Sequence, residues 1–577
     1  MHLPSRQTLP FLRNWGADPA GSGRWRFSLW APDAETVSVE LGERRIAMSR
    51  YAEGYWRVEA LAQAGDSYRF RADGTALADP AARAQAGGVD GPSCLVDPAA
   101  YRWSTRWAGR DWEEAVIYEL HLGTFTAEGT FAAAEAELPR LAALGITCIE
   151  LMPVGQFPGQ RGWGYDGVLP YAVHPAYGTP DEMKHFVETA QRHGLMVLLD
   201  VVYNHFGPEG FLLPKVAPVF AGGRTTWGDL IDYARPPLRR FFIENALYWL
   251  QEYRLDGLRL DATDQIRDPS EPELLQELAH AVRGFGFDRP IHLTTEDNRN
   301  ITRLHEPAAN LYTAEWNDDY HHAIHCLLTA EDHGYYATYA ADPLADLCLA
   351  LADGYVEQGQ PRPPLSEPRG EPSAHLPPSA FVNFNQNHDQ TGNRAHGERL
   401  IALAGDQAAR VAHALLLLSP FTPLLFMGEE AGSESPFLYF CDYGGEMAER
   451  IRQGRIDEYP HFAASGMPDP NDPATFDASR PVAGARADEW QELTATLLSL
   501  RQTMIVPLLK SGRAAPARVQ PTGNGSLLAE WSFHAGRLTI AANLGALADR
   551  PPPKAAPVWS IGDPAADNFS LTLWIAA

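Results

Sequence analysis

Basic residues are scarce: 47 Lys and Arg stand against 73 Asp and Glu, a formal net charge of -26. A surface of that sign repels polyanions, which excludes nucleic acid and anionic membrane as partners and favours a neutral, hydroxyl-rich ligand. Cysteine is scarcer still: Cys94, Cys148, Cys326, Cys348 and Cys441 are the only five in 577 residues, widely scattered and without a CxxC. A disulfide framework and a zinc knuckle are thereby excluded, and a reducing compartment fits. Long apolar runs are missing. The longest, 412–418, is far too short to span a bilayer, and residues 1–18 lack the apolar core that follows a basic start in a secretion signal. No GxGxxG or GxxxxGKS follows any candidate strand, which removes the usual phosphate-cradling loops. The expectation is a soluble, cytoplasmic protein, monomeric or a weak homodimer, with no cofactor and no metal centre.

What the chain does have is length for two or three domains and a normal hydrophobic fraction of 45%. Its 15 Trp and 21 Tyr supply flat faces suited to sugar rings, although most such rings serve packing. Residues 1–105 read as an all-β, immunoglobulin-like sandwich, with alternating runs at 24–31, 36–41, 54–58 and 67–72 separated by turn residues. From 106 to 505 the rhythm becomes strand, helix, strand, with β-runs starting at Val116, Thr147, Met196, Gly257, Ile291, Asn310, Ala380 and Pro423. Helices are expected at 130–143, 181–193 and 238–253. Eight such runs predict an α/β fold, a (β/α)8 barrel, with an open doubly wound sheet as runner-up. Excursions are expected at 207–237 and in the proline-rich 358–378 stretch. The helical pattern stops near 506, and 506–577 reads as a small C-terminal β domain.

Chemistry is concentrated at strand ends. Asp256-Gly257-Leu258-Arg259-Leu260-Asp261 predicts a buried strand with Arg259 on the face opposite Leu258 and Leu260, and with Asp261 at its carboxyl end. Asp200-Val201-Val202-Tyr203-Asn204-His205 ends the third strand, Thr294-Thr295-Glu296-Asp297 the fifth and Asn387-His388-Asp389-Gln390 the seventh. One acidic strand end is commonplace and serves as a cap. Three on one rim repel each other by several kcal/mol unless a cation or a proton intervenes, roughly the scale of like charges a few ångströms apart. That leaves a bound metal or acid–base work. The metal reading is the weaker, because His121 stands alone on the first strand; Asn204 could ligate calcium, yet nothing closes an oxygen cage around it. Cleavage of a glycosidic bond needs one ionised and one protonated carboxyl, and gains from a third acid and from neutral histidines on the sugar hydroxyls.

The stretches 200–205, 257–263, 294–297 and 387–389 together resemble the four signatures of the α-amylase superfamily, in order and spacing. Within it, 157–168, 316–323, 386–400 and 436–440 are most similar to the maltooligosyltrehalose trehalohydrolases. The resemblance implies a retaining hydrolase of maltooligosyl trehalose, with Asp261 as nucleophile, Glu296 as acid/base and Asp389 as transition-state stabiliser. It implies that Arg259 keeps Asp261 ionised, that His205 and His388 grip hydroxyls, and that Tyr165 stacks beneath the sugar. Trp163, Asn204, Asp264, Gln265, Asn317, Asp318, Asp319, Gln390 and Asn393 complete the expected substrate contacts. Asp264 stands where many relatives carry histidine, and Asn317–Asp319 could equally cap the next helix. A glycogen-branching or debranching enzyme is the nearest rival. A glucan-binding scaffold is the other, though it has no use for three repelling carboxylates.

Overall fold

The computed structural model describes residues 13–459, 466–548 and 555–576. The first twelve residues, most of the stretch read for a leader, and the extreme end of the last expected domain lie outside the described residues. Eight parallel strands close into a barrel: β1 Ile117–Leu120, β2 Cys148–Leu151, β3 Met196–Val201, β4 Gly257–Leu260, β5 His292–Thr295, β6 Ala314–Trp316, β7 Phe381–Phe384 and β8 Thr422–Phe426. Period-two alternation divides their side chains. Ile149, Leu151, Val197, Leu199, Leu258 and Leu260 face the surrounding helices and join the main core. Ile117, Cys148, Met196, Leu198, Ala314, Val382, Phe384 and Leu424 form a separate apolar cluster inside the barrel. Two residues further along, the inward positions change to Glu119, Glu150, Asp200 and Arg259. The floor is apolar and the carboxyl-end layer is charged, which positions the chemistry.

Three local expectations are corrected. The sixth strand starts at Ala314, not Asn310. Asn310 has a left-handed φ of 49°, and the Arg283 guanidinium holds the carbonyls of Asn310 and Leu311 at 3.2 and 2.7 Å. Leu311 and Tyr312 are buried as a loop, so their apolarity imitates a strand. The helix expected over 130–143 is two, Phe131–Glu135 and Leu138–Leu144, because Pro139 is tolerated only in a first turn. Helix also continues past 506, through Val506–Lys510, before the five-stranded C-terminal sheet begins at Arg513. Within 207–237 a two-stranded ribbon, Phe220–Arg224 with Asp229–Ile231, carries Trp227 over the barrel mouth, 52% exposed. Among the described residues no helix is long and apolar enough to cross a membrane.

Two antiparallel sheets precede the barrel and are joined to its helix Pro236–Glu252 by buried polar contacts. Arg83 holds Glu252 at 2.8 and 3.0 Å and Asp18 at 2.9 Å, while Asn14 donates twice to Glu244. Trp15 packs edge-on against Phe241 and donates its indole N–H to the Pro237 carbonyl. Nearby, Asp79 is fully buried, accepting from the Tyr68 hydroxyl at 2.6 Å and the Ala81 amide at 2.9 Å. Burial pushes its pKa up to about 6. A carboxyl raised above its unfolded value favours the folded state below that value and loses the contribution as pH climbs through about 6. The Asp79 contribution to melting temperature should therefore fall between about pH 4 and pH 7. Asp79→Asn should narrow that fall by up to about 3 kcal/mol of stability, readable as melting curves across pH; an undiminished fall would discount the group.

Candidate active site

The site is built on β4. Gly257 begins it because a Cβ there would meet the His292 carbonyl oxygen at 2.0 Å, so only glycine lets β4 and β5 approach. Asp256, one residue earlier, is structural: its carboxylate accepts from the Trp107 indole at 2.6 Å and the Val197 amide at 3.0 Å. Arg259 points into the barrel as its alternation predicts. It is fully buried, its guanidinium 4.1 Å from the Trp316 ring centre. Nη1 bonds Asp200 at 2.6 Å and Asp261 at 2.8 Å, and Nη2 bonds Glu296 at 2.5 Å. One cation thus ties three acidic strand ends together.

Asp261 has both oxygens occupied, Oδ1 by Arg259 and Oδ2 by the Asn204 amide at 2.8 Å. The next residue, Ala262, lies in the left-handed region at φ 39°, unusual for a residue with a Cβ. That turn aims its backbone N–H at Glu296 Oε2, 3.0 Å away. Glu296 Oε2 therefore accepts from two donors, leaving Oε1 as the oxygen able to carry a proton. Burial raises the Glu296 pKa well above normal; Arg259 opposes this, and Asp261, Asp389 and Asp318 add to it. Asp200 accepts from the Tyr165 hydroxyl at 2.5 Å as well as from Arg259, and burial lifts it to about 6. His205 sits between the Asn204 side chain and the Tyr165 carbonyl, under the Trp227 ring. Burial lowers its pKa, so it is a neutral imidazole.

The seventh strand end is reached by barrel closure. Glu119 on β1 grips His388 twice, at its backbone N–H (2.9 Å) and Nδ1 (2.5 Å). Burial would lower the His388 pKa, but Glu119 and Asp389 outweigh it and hold it above the ordinary value. The Glu119 carboxylate thus favours the protonated His388 ring, whose Nδ1 faces it. Its ring stacks on Tyr165 with centres 5.0 Å apart. Asp389 accepts from Asn393 at 3.0 Å. Gln390 donates to Asp318 at 2.9 Å, and burial, with Asp389 adding to it, raises Asp318 to about 7.

Not every expected contact reaches this cluster. Trp163 is 6% exposed, donates to the Leu438 carbonyl, stacks on Phe437 and lies where a Cβ on Gly392 would clash at 2.1 Å. It buttresses the His388 ring and offers no open face. Asn317 turns inward to the Gly354 carbonyl and Asn383. Asp319 is buried against Asn300, Tyr339 and the Val356 and Glu357 amides, where it anchors the entry to the proline-rich stretch. Asp264 and Gln265 pair with each other beyond Asp261. Sequence reasoning missed Glu119 as the partner of His388, and Trp316 beneath Arg259. It also missed Tyr335, 70% exposed with Asp389 and Asp318 as charged neighbours. Glu119 was legible as an acid on an inward strand position; exposure of a loop tyrosine leaves no trace in sequence.

A carboxylate triad on one guanidinium, at the carboxyl end of a closed parallel barrel, defines a glycoside hydrolase of the α-amylase superfamily. The alpha amylase catalytic domain model matches residues 106–216. The chain belongs to the malto-oligosyltrehalose trehalohydrolase family. It is 41% identical to the malto-oligosyltrehalose trehalohydrolase of Arthrobacter ramosus, over 78% of this chain and 82% of that one. It is likewise 41% identical to the one from Deinococcus radiodurans, over 79% and 77%. A crystal structure from Salmonella typhimurium, described as an alpha amylase, superposes with a TM-score of 0.95 at 46% identity, covering 98% of this chain and all of its own.

Proposed function

We propose that this enzyme releases trehalose from maltooligosyl trehalose by retaining hydrolysis of the adjoining α-1,4 bond. Glu296 gives its Oε1 proton to the glucosidic oxygen as the Asp261 carboxylate attacks the anomeric carbon, and trehalose leaves. Glu296 then takes a proton from the water that displaces Asp261, freeing the shortened maltooligosaccharide. Asp389 and the two histidines brace the oxocarbenium-like sugar between them. The observation that carries this reading is the shared guanidinium: Arg259 holds nucleophile and acid at once, and the Ala262 N–H donates to the same Oε2 of the acid, leaving Oε1 for the proton. The trehalose end is supported by what the relatives are named for. Five unpaired cysteines support a cytoplasmic setting, and release of trehalose supports a role in trehalose formation. We place the enzyme there as a monomer or weak homodimer.

Maltotriosyl trehalose is the discriminating substrate. Trehalose and maltotriose should be the only products, with the new reducing end appearing first as the α-anomer in proton NMR. Glucose or maltose cut from the far end would mark a plain amylase, a first-formed β-anomer would overturn retention, and transfer to polymer would mark a branching enzyme.

A further inference from the structure

Glu150 has no part in that mechanism. It is the inward residue of β2 at the charged layer, 1% exposed, and neither carboxyl oxygen has a hydrogen-bond partner among the described residues. β2 sets Glu150 beside Glu119 on β1 and Leu198 on β3, so the next inward residue of β3 is Asp200. Asp200 Oδ1 also lacks a partner, while its Oδ2 accepts from both Tyr165 and Arg259. The ionisable groups around Glu150 are Glu119, Asp200 and Arg259, with Cys148 on its own strand. Around Asp200 they are Arg259, Asp261 and Tyr165. Among the described residues Arg259 is the one cation neighbouring Glu150 and Asp200, with only its Nε unpartnered; Arg399, whose Nη1 and Nη2 also lack partners, faces Glu119 instead. His388 is committed to Glu119, and Arg259 bonds Asp200, Asp261 and Glu296. An ionised Glu150 would face two carboxylates in a dry interior without a partner of its own. Burial and those neighbours hold its pKa well above the usual range. A carboxyl that keeps its proton is a donor, and the acceptor lacking one on the adjoining strand is Asp200 Oδ1.

We propose that Glu150 is a positioning residue that stays neutral and donates a hydrogen bond to Asp200 Oδ1, directly or through one water, so that Asp200 remains the anion aligning Arg259 and Tyr165 beneath Asp261. The proposal rests on the roles given above to Asp261 and Glu296. A donor on Oδ1 stabilises the ionised form of Asp200; without it Asp200 takes up a proton at higher pH and Arg259 loses one of its three anions. In the full-length enzyme with maltotriosyl trehalose, E150Q keeps a donor and should hold kcat within about twofold and the acid limb of kcat/KM in place. E150L removes the donor and should raise that limb by roughly half a pH unit and lower kcat about tenfold, with KM little changed. An E150Q limb shifted to lower pH would show Glu150 ionised, and an E150L limb and kcat like the wild type would reduce it to packing; either overturns the proposal. Should E150L not fold, the wild-type minus E150Q infrared difference at neutral pH decides. It should contain the C=O stretch of a protonated carboxyl, and its absence overturns the proposal. That band does not depend on turnover, so it separates failure here from failure of the roles assigned to Asp261 and Glu296.

Discussion

Asp261→Asn should leave a folded enzyme that binds maltotriosyl trehalose and turns it over about ten-thousandfold more slowly or worse, on the scale seen when a nucleophile is removed. Folding is safe because the change removes one of several negative charges crowded around Arg259, so the melting temperature should hold or rise. Glu296→Gln should be comparably slow on the natural substrate. Its first step should recover with a leaving group that needs no proton, such as fluoride. Azide separates the two roles stereochemically. With the nucleophile trimmed to Gly, azide attacks the opposite face and gives a β-glycosyl azide. With Glu296 trimmed to Ala, azide intercepts the glycosyl–Asp261 intermediate and gives the α-azide. Wild-type turnover in either Asn or Gln variant would sink the assignment, as would the same azide anomer from both trimmed enzymes.

Arg259→Lys should be nearly as damaging to activity and far more damaging to the fold. Lysine keeps the charge, but a single ammonium cannot span Asp200, Asp261 and Glu296 as Nη1 and Nη2 do at 2.5–2.8 Å. Nor does it reproduce the flat face against Trp316. At least one buried carboxylate is then uncompensated, a loss of about 3–5 kcal/mol by the usual cost of breaking a buried pair. Catalysis should drop by about a thousandfold, since nucleophile and acid both lose their common support. Denaturant titration and steady-state kinetics measure the two effects; a variant of wild-type stability would show that the triad does not depend on this cation.

The barrel was readable because two periodicities alternate along the chain, and the acids because they end strands. Arg259 was placed on the right face by counting alone. Asn317, Asp318 and Asp319 show where counting stops. All three are small, polar and consecutive at a helix start, yet only Asp318 reaches Gln390 and Asp389, because each step rotates the side chain by about 100°. Glu119 and His388 are 269 positions apart and meet only because β8 closes the barrel onto β1. Trp163 was expected among the substrate contacts on resemblance alone; its burial against Gly392 belongs to the tertiary fold. Asn310 misled through apolar neighbours that are buried without being strand.

The seam between the leading sheets and helix Pro236–Glu252 bears on how this enzyme can be engineered. Cutting the chain back to its barrel would strip Glu252 and Glu244 of the donors that offset their charge and uncover the greasy seat of Trp15. A minimal catalytic fragment should therefore come out of expression as inclusion bodies. Transplanting a leading module from another source would require carrying Arg83, Asn14 and Trp15 along as one inseparable graft.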